Sequence, residues 1–444
     1  MKKLQLFTLV LATCSLVLTG CSKEKFQAEK STNGSKTAPN LKTAAAGDLS
    51  DTNIKYFGRW DFSNSTQYVS YWGGAYIKVR FTGTTVKVKV GNTSNFYAKI
   101  DNGPWVSYLN VGGTINLTPS ALAIGTHTLS VAQGKDYDYV FNFQGLILDP
   151  GATTSAPAVG ANLIEYVGDS ITTGYTDPQA NVSAYGWVVS ESLGAEHTQI
   201  SYPGINLTSG YTGGTGMDQQ YFKLQSFAYP SSANWNFATY TPKAIVINLG
   251  TNDNSNSVPD AVFQSTYVTF LANIRAKFAN AEILVLRTFL NIKTAPTQAA
   301  VAARIAAGDT RVHYIDTDGW LTPGSADYTD GLHPSVNGNI KVADRLKPIL
   351  STYITGGVTF YQDINYQGGY SQVLPVGNYT LSQLAARGMP NDWASSVRIP
   401  AGRTVIMYSD DNFTGQSWTR TSDTPNFPGL SPSPNDAVSS VRVQ

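Results

Sequence analysis

The sequence contains only two cysteines and four histidines in 444 residues, and only 14% of its residues are charged. Both cysteines, Cys14 and Cys21, lie in the first 21 residues, so the rest of the chain has no pair for a disulfide bond. The histidines are too scattered to form a His-x-x-x-His ligand set, which disfavours metal-dependent hydrolysis. The sequence has 31 lysine and arginine residues and 30 aspartate and glutamate residues, which gives a net charge of +1. A nearly neutral protein has no overall electrostatic field that would attract nucleic acid.

The N-terminus has the pattern of an export signal. Met1-Lys-Lys is followed by an apolar stretch from Leu4 to Leu18, which is too short to span a membrane. Because Thr19-Gly20 directly precedes Cys21, residues 1–21 resemble a bacterial lipoprotein signal, in which the cysteine is lipidated. The resemblance implies a protein exported and anchored to a membrane, in the periplasm or on the cell surface. The alternative is that Cys21 occurs at this position by chance and is not lipidated. Residues 22–50 are small and polar, as expected of a flexible linker.

Residues 51–152 have the pattern of an all-β domain. Apolar and polar residues alternate in Tyr76–Phe81 and in Thr85–Val90, and turn residues such as Asp101-Asn-Gly103 separate the segments. This pattern predicts an N-terminal β-sandwich of the jelly-roll type.

Residues 160–355 alternate between buried strands and amphipathic helices. Strands are predicted at 163–167, 244–249, 283–289 and 312–315, and the clearest helix is predicted at 260–279. Its apolar residues recur at helical spacing and are predicted to be core: Phe263, Tyr267, Phe270, Leu271, Ile274 and Phe278. Such alternation predicts a three-layer, flavodoxin-like domain with a parallel sheet, whose functional residues follow the carboxyl ends of the strands.

Residues 357–444 contain an internal duplication, which predicts a third, all-β domain. Tyr361–Gly368 corresponds to Tyr408–Gly415 in form, and Asn391–Ser396 corresponds to Asn435–Ser440.

Four short motifs in the middle domain could build a nucleophilic site. They are Gly-Asp-Ser170, Ser-Tyr-Pro-Gly204-Ile-Asn, Gly-Thr-Asn252-Asp and Asp330-Gly-Leu-His333. A serine hydroxyl needs an imidazole within hydrogen-bond reach, and the imidazole needs an acceptor to orient it. Taken singly, the first motif could be a helix-capping turn, the second an ordinary Pro-Gly turn and Asp330 a capping aspartate. Together and in this order they resemble the SGNH (GDSL-type) hydrolases.

The resemblance implies a role for each residue. Ser170 would be the nucleophile, His333 the base and Asp330 the group that orients His333. The backbone N–H groups of Ser170 and Gly204 and the side-chain amide of Asn252 would form an oxyanion hole. A glycine at position 204 would also allow close approach of the substrate to the backbone. No cofactor is expected to take part in catalysis.

The first two domains together resemble carbohydrate esterase family 2. The resemblance rests on Phe57-Gly-Arg-Trp60, Ile100-Asp-Asn-Gly103 and Gly125-Thr-His-Thr-Leu129, followed by the Gly-Asp-Ser segment. It implies a monomeric esterase that removes acetyl groups from plant polysaccharides such as xylan and glucomannan. Two alternatives stay open at this point. One is a lipase, lysophospholipase or thioesterase on the same frame, and the other is a non-catalytic glycan-binding lipoprotein.

The duplicated C-terminal segment is similar to a βγ-crystallin domain. Each half has the aromatic-x4-aromatic-x-Gly corner and an Asn-Asp-x-x-Ser-Ser stretch. Microbial members of that family use this stretch to bind calcium, so the resemblance implies structural Ca²⁺ in two sites, held by Asp392, Ser395, Asp436 and Ser439 together with adjacent carbonyls and water. The alternative is that these residues form simple polar turns.

Overall fold

The computed structural model describes residues 45–134, 140–211 and 213–444. The predicted signal peptide, Cys21 and most of the predicted linker lie outside the described residues. Within the described residues, no helix combines the length and the apolar character needed to cross a bilayer. Residues 45–50, at the end of the predicted linker, form turns against the first domain, where the Leu146 N–H donates to the Gly47 carbonyl at 2.7 Å.

The first domain is a single antiparallel sheet of nine strands that is nearly closed on itself. The order along the sheet is β1-β4-β7-β5-β8-β3-β2, with β6 paired to β5 and β9 paired to β4. Its strands are β1 (Lys55–Phe57), β2 (Trp60–Asp61), β3 (Tyr68–Ser70), β4 (Tyr76–Gly83), β5 (Val86–Ile100), β6 (Val106–Asn116), β7 (Gly125–Gln133), β8 (Phe141–Leu148) and β9 (Thr154–Ser155).

The alternation predicted for this domain decides which face of the sheet is buried. Ile77, Val79 and Phe81 of β4 point into the core, together with Val86 and Val88 of β5. Strand β5 pairs with β6, β7 and β8, and its register shifts at two places between Val90 and Phe96. Such irregularities bend a strand, which allows one long strand to contact partners on several sides.

The second domain contains a parallel sheet of five strands in the order β11-β10-β12-β13-β14. This confirms the predicted architecture, and the helices cover both faces. The strands are β10 (Leu163–Gly168), β11 (Glu196–Ser201), β12 (Ala244–Asn248), β13 (Glu282–Leu286) and β14 (Val312–Ile315). The helices are α1 (Ser170–Thr173), α2 (Tyr185–Leu193), α3 (Met217–Gln220), α4 (Thr251–Ser255), α5 (Asp260–Lys277), α6 (Thr294–Ala306) and α7 (Val336–Thr355).

The apolar residues that recur at helical spacing in α5 form its buried face, as predicted. All six of its predicted core residues are buried, in one cluster with Ile245, Ile247 and Ile283 of the sheet. The opposite face of the sheet packs on α2 and α7 through a separate cluster that includes Val246 and Leu284. Alternate residues of each strand therefore serve the two layers of helices, which is why the central strands β12 and β13 are largely apolar.

The third domain is all-β, as predicted, and its two halves repeat one design. A four-stranded sheet has the order β16-β20-β18-β19, and β15 pairs with β17. The elements are β15 (Thr359–Tyr361), β16 (Gly377–Tyr379), α8 (Leu381–Ala385), β17 (Ser396–Arg398), β18 (Val405–Asp410), β19 (Thr414–Arg420) and β20 (Ser440–Val443).

The same hydrogen bonds hold the aromatic corner of each half. The Ser396 hydroxyl accepts from the Tyr366 N–H at 3.1 Å, and Ser440 accepts from the Phe413 N–H at 2.9 Å. Each serine also donates to the carbonyl three residues before the aromatic residue, at 2.7 Å. The second serine of each Asn-Asp-x-x-Ser-Ser stretch therefore stabilises the aromatic corner of its own half.

The first domain covers the edge strand β11 of the hydrolase sheet. All six residues of β11 are buried although most are polar. The Tyr76 hydroxyl donates to Glu196 at 2.5 Å, and the Lys78 ammonium pairs with the same carboxylate at 2.7 Å. Arg59, also buried, donates to the Lys223 carbonyl at 2.7 Å. Because buried polar groups need partners, these contacts allow a polar strand to lie inside the molecule.

A buried ionic cluster joins the hydrolase domain to the third domain. His313 of β14 contacts Glu282 at 2.9 Å and Asp423 at 3.2 Å, and the Tyr353 hydroxyl donates to Asp423 at 2.5 Å. Arg398 lies 3.5 Å from Asp423. Although burial lowers it, the hydrogen bonds to Asp423 and Glu282 raise the pKa of His313. The cluster therefore places the His313 imidazole between two carboxylates, which favour its protonated form.

Candidate active site

Ser170 lies in a tight turn at the carboxyl end of β10. Asp169 caps the following helix α1, because its carboxylate accepts a hydrogen bond from the Ile171 N–H at 3.0 Å. The turn leaves Ser170 7% exposed, with its hydroxyl directed toward the loop that precedes α7.

That loop brings His333 and Asp330 to the serine. His333 Nε2 lies 2.9 Å from Ser170 Oγ, and His333 Nδ1 lies 2.7 Å from Asp330 Oδ2. Asp330 also accepts the backbone N–H groups of His333 at 2.8 Å and Leu332 at 3.0 Å. Although desolvation raises it, these bonds and the His333 ring lower the pKa of Asp330 to about 2. Asp330 is therefore ionised at neutral pH and favours the proton on Nδ1, which leaves Nε2 free to accept one.

Gly204 and Asn252 follow the two strands next to β10. Gly204 is exposed and has a φ of +83°, and a Cβ built there would meet no atom within 4 Å. The positive φ is the reason for a glycine at this position. The Asn252 amide nitrogen lies 3.1 Å from the Ile205 carbonyl and 3.3 Å from Asp169 Oδ2. These two acceptors orient the amide of Asn252 beside the serine turn.

Asp253 is a positioning residue that the sequence reasoning missed. Its buried carboxylate accepts the N–H groups of Leu207 at 2.7 Å and Thr208 at 2.9 Å, which ties the Gly204 loop to α4. Burial raises the pKa of Asp253, and it raises that of Asp169 to about 7, with the nearby Asp253 adding to the effect. The signal was present in the motif, since Asp253 directly follows Asn252 at the end of a buried strand.

The other histidines do not reach this site. His127 contacts Asp101 at 2.7 Å in the first domain, and His313 belongs to the interdomain cluster. His197 is buried in β11 against the Trp187 ring, and burial lowers its pKa to about 3. All three have structural positions.

One aromatic ring lies beside His333. The Tyr175 ring centroid is 5.5 Å from that of His333. Several other large aromatic residues are buried in the packing of the domains, among them Tyr185, Trp187, Tyr202, Trp235 and Trp320.

A three-layer parallel sheet with a serine, a histidine and an aspartate in hydrogen-bond contact at its carboxyl edge defines a serine hydrolase. Residues 166–339 match the model of the GDSL-like Lipase/Acylhydrolase family, and residues 56–157 match the model described as Carbohydrate esterase 2 N-terminal. Residues 166–339 therefore resemble the GDSL-type hydrolases and residues 56–157 resemble the N-terminal domain of carbohydrate esterase family 2, and the predicted resemblance is confirmed.

Two relatives share the first two domains. Cellulase/esterase CelE of Acetivibrio thermocellus is 28% identical over 326 residues, which are 67% of this chain and 39% of CelE. This chain thus spans well under half of that relative. The acetylxylan esterase / glucomannan deacetylase of Cellvibrio japonicus is 25% identical over 322 residues, which are 64% of this chain and 86% of that protein.

A solved structure and a third relative complete the comparison. A family two carbohydrate esterase from Clostridium thermocellum, solved in complex with cellohexaose, is 27% identical with a TM-score of 0.60. The match covers 67% of this chain and 98% of that one. Development-specific protein S of Myxococcus xanthus is 41% identical over 87 residues, which are 19% of this chain and 47% of that protein.

Proposed function

We propose that this protein is a serine esterase that removes O-acetyl groups from plant polysaccharide, such as acetylated xylan or glucomannan. The observation that carries the proposal is the placement of His333 between Ser170 Oγ and Asp330, at 2.9 and 2.7 Å. The name of the Cellvibrio japonicus relative supports the choice of acyl group and of substrate.

The proposed reaction has two steps. Ser170 Oγ attacks the acetyl carbonyl while His333 Nε2 takes its proton, and the tetrahedral intermediate then expels the sugar oxygen, which receives that proton. Water, deprotonated by His333, attacks the acetyl-serine; the second intermediate then breaks its bond to Ser170 Oγ, which takes the proton from His333, and acetate leaves. The ionised Asp330 stabilises the His333 imidazolium in both steps.

The negative oxygen of each intermediate needs hydrogen-bond donors. In our proposal these are the backbone N–H groups of Ser170 and Gly204 and the amide of Asn252. The absence of a side chain at Gly204 leaves its backbone open to the substrate. In binding the oxyanion, the Asn252 amide would exchange its longer hydrogen bond, the one with Asp169 Oδ2 at 3.3 Å, for one with the substrate.

A substrate comparison tests the proposal. We expect acetate release from acetylated xylan or acetylated glucomannan, and we expect aryl acetate to exceed aryl octanoate at least about tenfold in kcat/KM, because pockets built for a short acyl group discriminate by roughly this much. Equal or faster cleavage of the octanoate would favour the lipase alternative. No turnover of any ester would favour the non-catalytic one.

We also propose structural calcium in the third domain, in two sites built from the predicted residues Asp392, Ser395, Asp436 and Ser439. Both aspartates have left-handed backbone conformations, with φ of 50° and 46°. The two stretches lie side by side, since the Asp436 N–H donates to the Ala394 carbonyl at 3.4 Å. Carboxylate, hydroxyl and carbonyl oxygens from both stretches are the ligands that calcium prefers.

The fit of a cation is supported by an unpaired oxygen. Asn435 Oδ1 is buried without a hydrogen-bond partner, whereas Asn391 Oδ1, at the same place in the first stretch, accepts from the Ser439 hydroxyl at 2.7 Å. The described residues contain no group of three His, Cys, Asp or Glu side chains placed to hold a metal. A cation here would therefore depend on amide, hydroxyl and backbone oxygens beside each aspartate.

Chelation is expected to lower the melting temperature of the third domain. At a calcium concentration about a hundredfold above Kd, binding stabilises the folded state by about 2.7 kcal/mol, which corresponds to a shift of about 11–22 °C in a domain of this size. Calorimetry of the whole protein with and without chelator measures the shift. Cleavage of aryl acetate should change less than about twofold.

The matched control is the double variant Asp392→Ala, Asp436→Ala. It should melt at the temperature of the chelated protein and should not respond to chelator. An unchanged melting temperature on chelation of the wild-type protein would contradict the calcium site, as would an equal response in the double variant.

A further inference from the structure

A groove of about 310 Å³ lies between the hydrolase domain and the first half of the third domain. This interdomain groove is lined on one side by residues that follow β14 and by α7, and on the other by the aromatic corner after β15. Its volume is at the lower end of the range found for small-molecule sites, about 300–1,000 Å³. The lining residues that bear on ligand binding include Tyr314, Trp320, Arg345, Tyr361, Gln367 and Tyr370.

The groove has an exposed aromatic ring at its rim. Tyr370 is 51% exposed, and its centroid lies 6.3 Å from that of Tyr361, which is buried in the wall. Such a ring offers a flat apolar face with a polar tip, as a pyranose ring requires. The neighbouring Tyr366 is less available, because the Arg398 guanidinium stacks on it at 3.8 Å.

The polar groups in the wall suit a ligand with hydroxyl groups. The Tyr361 hydroxyl is buried without a hydrogen-bond partner, which costs free energy unless a ligand supplies one. Exposed amides of Gln298 and Gln367 line the same groove. Arg345 and Asp316 contribute charges of opposite sign, and the third charged lining residue, Arg398, is paired with Asp423 at 3.5 Å, so little charge is left to select an ionic ligand.

Comparing equivalent positions in the two halves of the third domain distinguishes the residues that the fold requires from those found only at the groove. Arg442 stacks on Phe413 at 4.7 Å in the second half, just as Arg398 stacks on Tyr366 in the first. The stack is therefore part of the shared design. Tyr370, however, corresponds to Ser417, and Gln367 corresponds to Thr414. The exposed ring and the amide thus occur in the half that faces the hydrolase domain, although the repeat folds without them.

The groove and the active site share one loop. Asp316 directly follows the carboxyl end of β14, and the chain continues through Trp320 to Asp330 and His333. The carboxyl ends of all five parallel strands lie at one edge of the sheet, the edge that also carries Ser170.

We propose that the interdomain groove is a secondary binding site for a neutral, β-linked glycan chain. It would hold one stretch of the polysaccharide while an acetylated sugar of the same chain occupies the active site. The substrate class rests on the proposed function. The site itself rests on the exposed ring, the unpartnered hydroxyl and the neutral amide-rich lining.

Tyr370→Ala in the full-length protein tests this site, with Ile364→Ala as the control. Ile364 is exposed to a similar extent in the same segment but does not line the groove. We expect Tyr370→Ala to raise KM on acetylated polysaccharide about tenfold with kcat unchanged, and to leave aryl acetate cleavage unchanged. Ile364→Ala should change neither. Equal melting temperatures of the two variants would confirm that folding is intact.

A binding measurement separates this proposal from the proposed function. Affinity for deacetylated xylan and glucomannan, measured without turnover in the Ser170→Ala background, should fall about tenfold with Tyr370→Ala. If the wild-type protein releases no acetate, the esterase proposal fails while this affinity still tests the groove. Equal polysaccharide affinity in the Tyr370→Ala and Ile364→Ala proteins would overturn the secondary site.

Discussion

Replacing Ser170 with alanine is expected to lower acetate release by at least about ten-thousandfold, because the variant has no oxygen to form the acetyl-enzyme. The serine hydroxyl is 2.9 Å from His333 Nε2, and no rearrangement of the loop is needed for proton transfer. The rates to compare are kcat/KM on aryl acetate and acetate release from polysaccharide. The melting temperature should shift by only a few degrees, since the change removes one oxygen from a capped turn.

Ser201→Ala is the matched control for this experiment. Ser201 ends the neighbouring strand β11, pairs in register with Gly168 and is buried, with a hydroxyl that has no hydrogen-bond partner. Its loss should change the rate less than about threefold. Undiminished turnover by pure Ser170→Ala protein would show that the nucleophile lies elsewhere.

Replacing Asn252 with alanine is expected to lower kcat about a hundredfold to a thousandfold, with a much smaller change in KM. Loss of one oxyanion donor commonly has this effect, because the amide bonds more strongly to the transition state than to the ester. The two contacts of its nitrogen, with Ile205 and Asp169, hold the amide in place before substrate binds. Steady-state kinetics on aryl acetate measure the change.

Asn254→Ala provides the comparison within the same short helix. Asn254 is exposed, so its removal should leave kcat within about threefold. If Asn252→Ala retained a third or more of the wild-type kcat, the amide would have no part in oxyanion binding. The backbone donors of Ser170 and Gly204 would then suffice.

The positions of the candidate site residues followed from where their motifs stand in the chain. Ser170 and Asn252 come just after apolar runs that had to be buried strands, and parallel strands bring their carboxyl ends to one edge. Asp330 is three residues before His333, so one turn could direct both side chains to the same place. The motif places Asp253 just after a buried strand, but its bonding partners in the Gly204 loop were not predictable, because the two segments share no common pattern.

Strand β11 could not be predicted from the sequence pattern. Its residues Glu196, His197, Thr198 and Gln199 are polar, so neither hydrophobicity nor alternation indicates a buried strand. The strand is buried because the first domain covers it and supplies partners such as Tyr76 and Lys78. The cluster around His313 and the interdomain groove likewise form where two domains pack together, so no local sequence pattern indicated them.

By itself, the sequence determined the three folds, the strand ends that carry the site and the duplication in the third domain. Each of these follows from local periodicity or from short motifs, which act over a few residues. Only the tertiary structure decided which polar residues lie inside and which surfaces meet. Burial of a charge or hydroxyl depends on partners far away in the chain, and the free energy of that burial is set when the domains pack together.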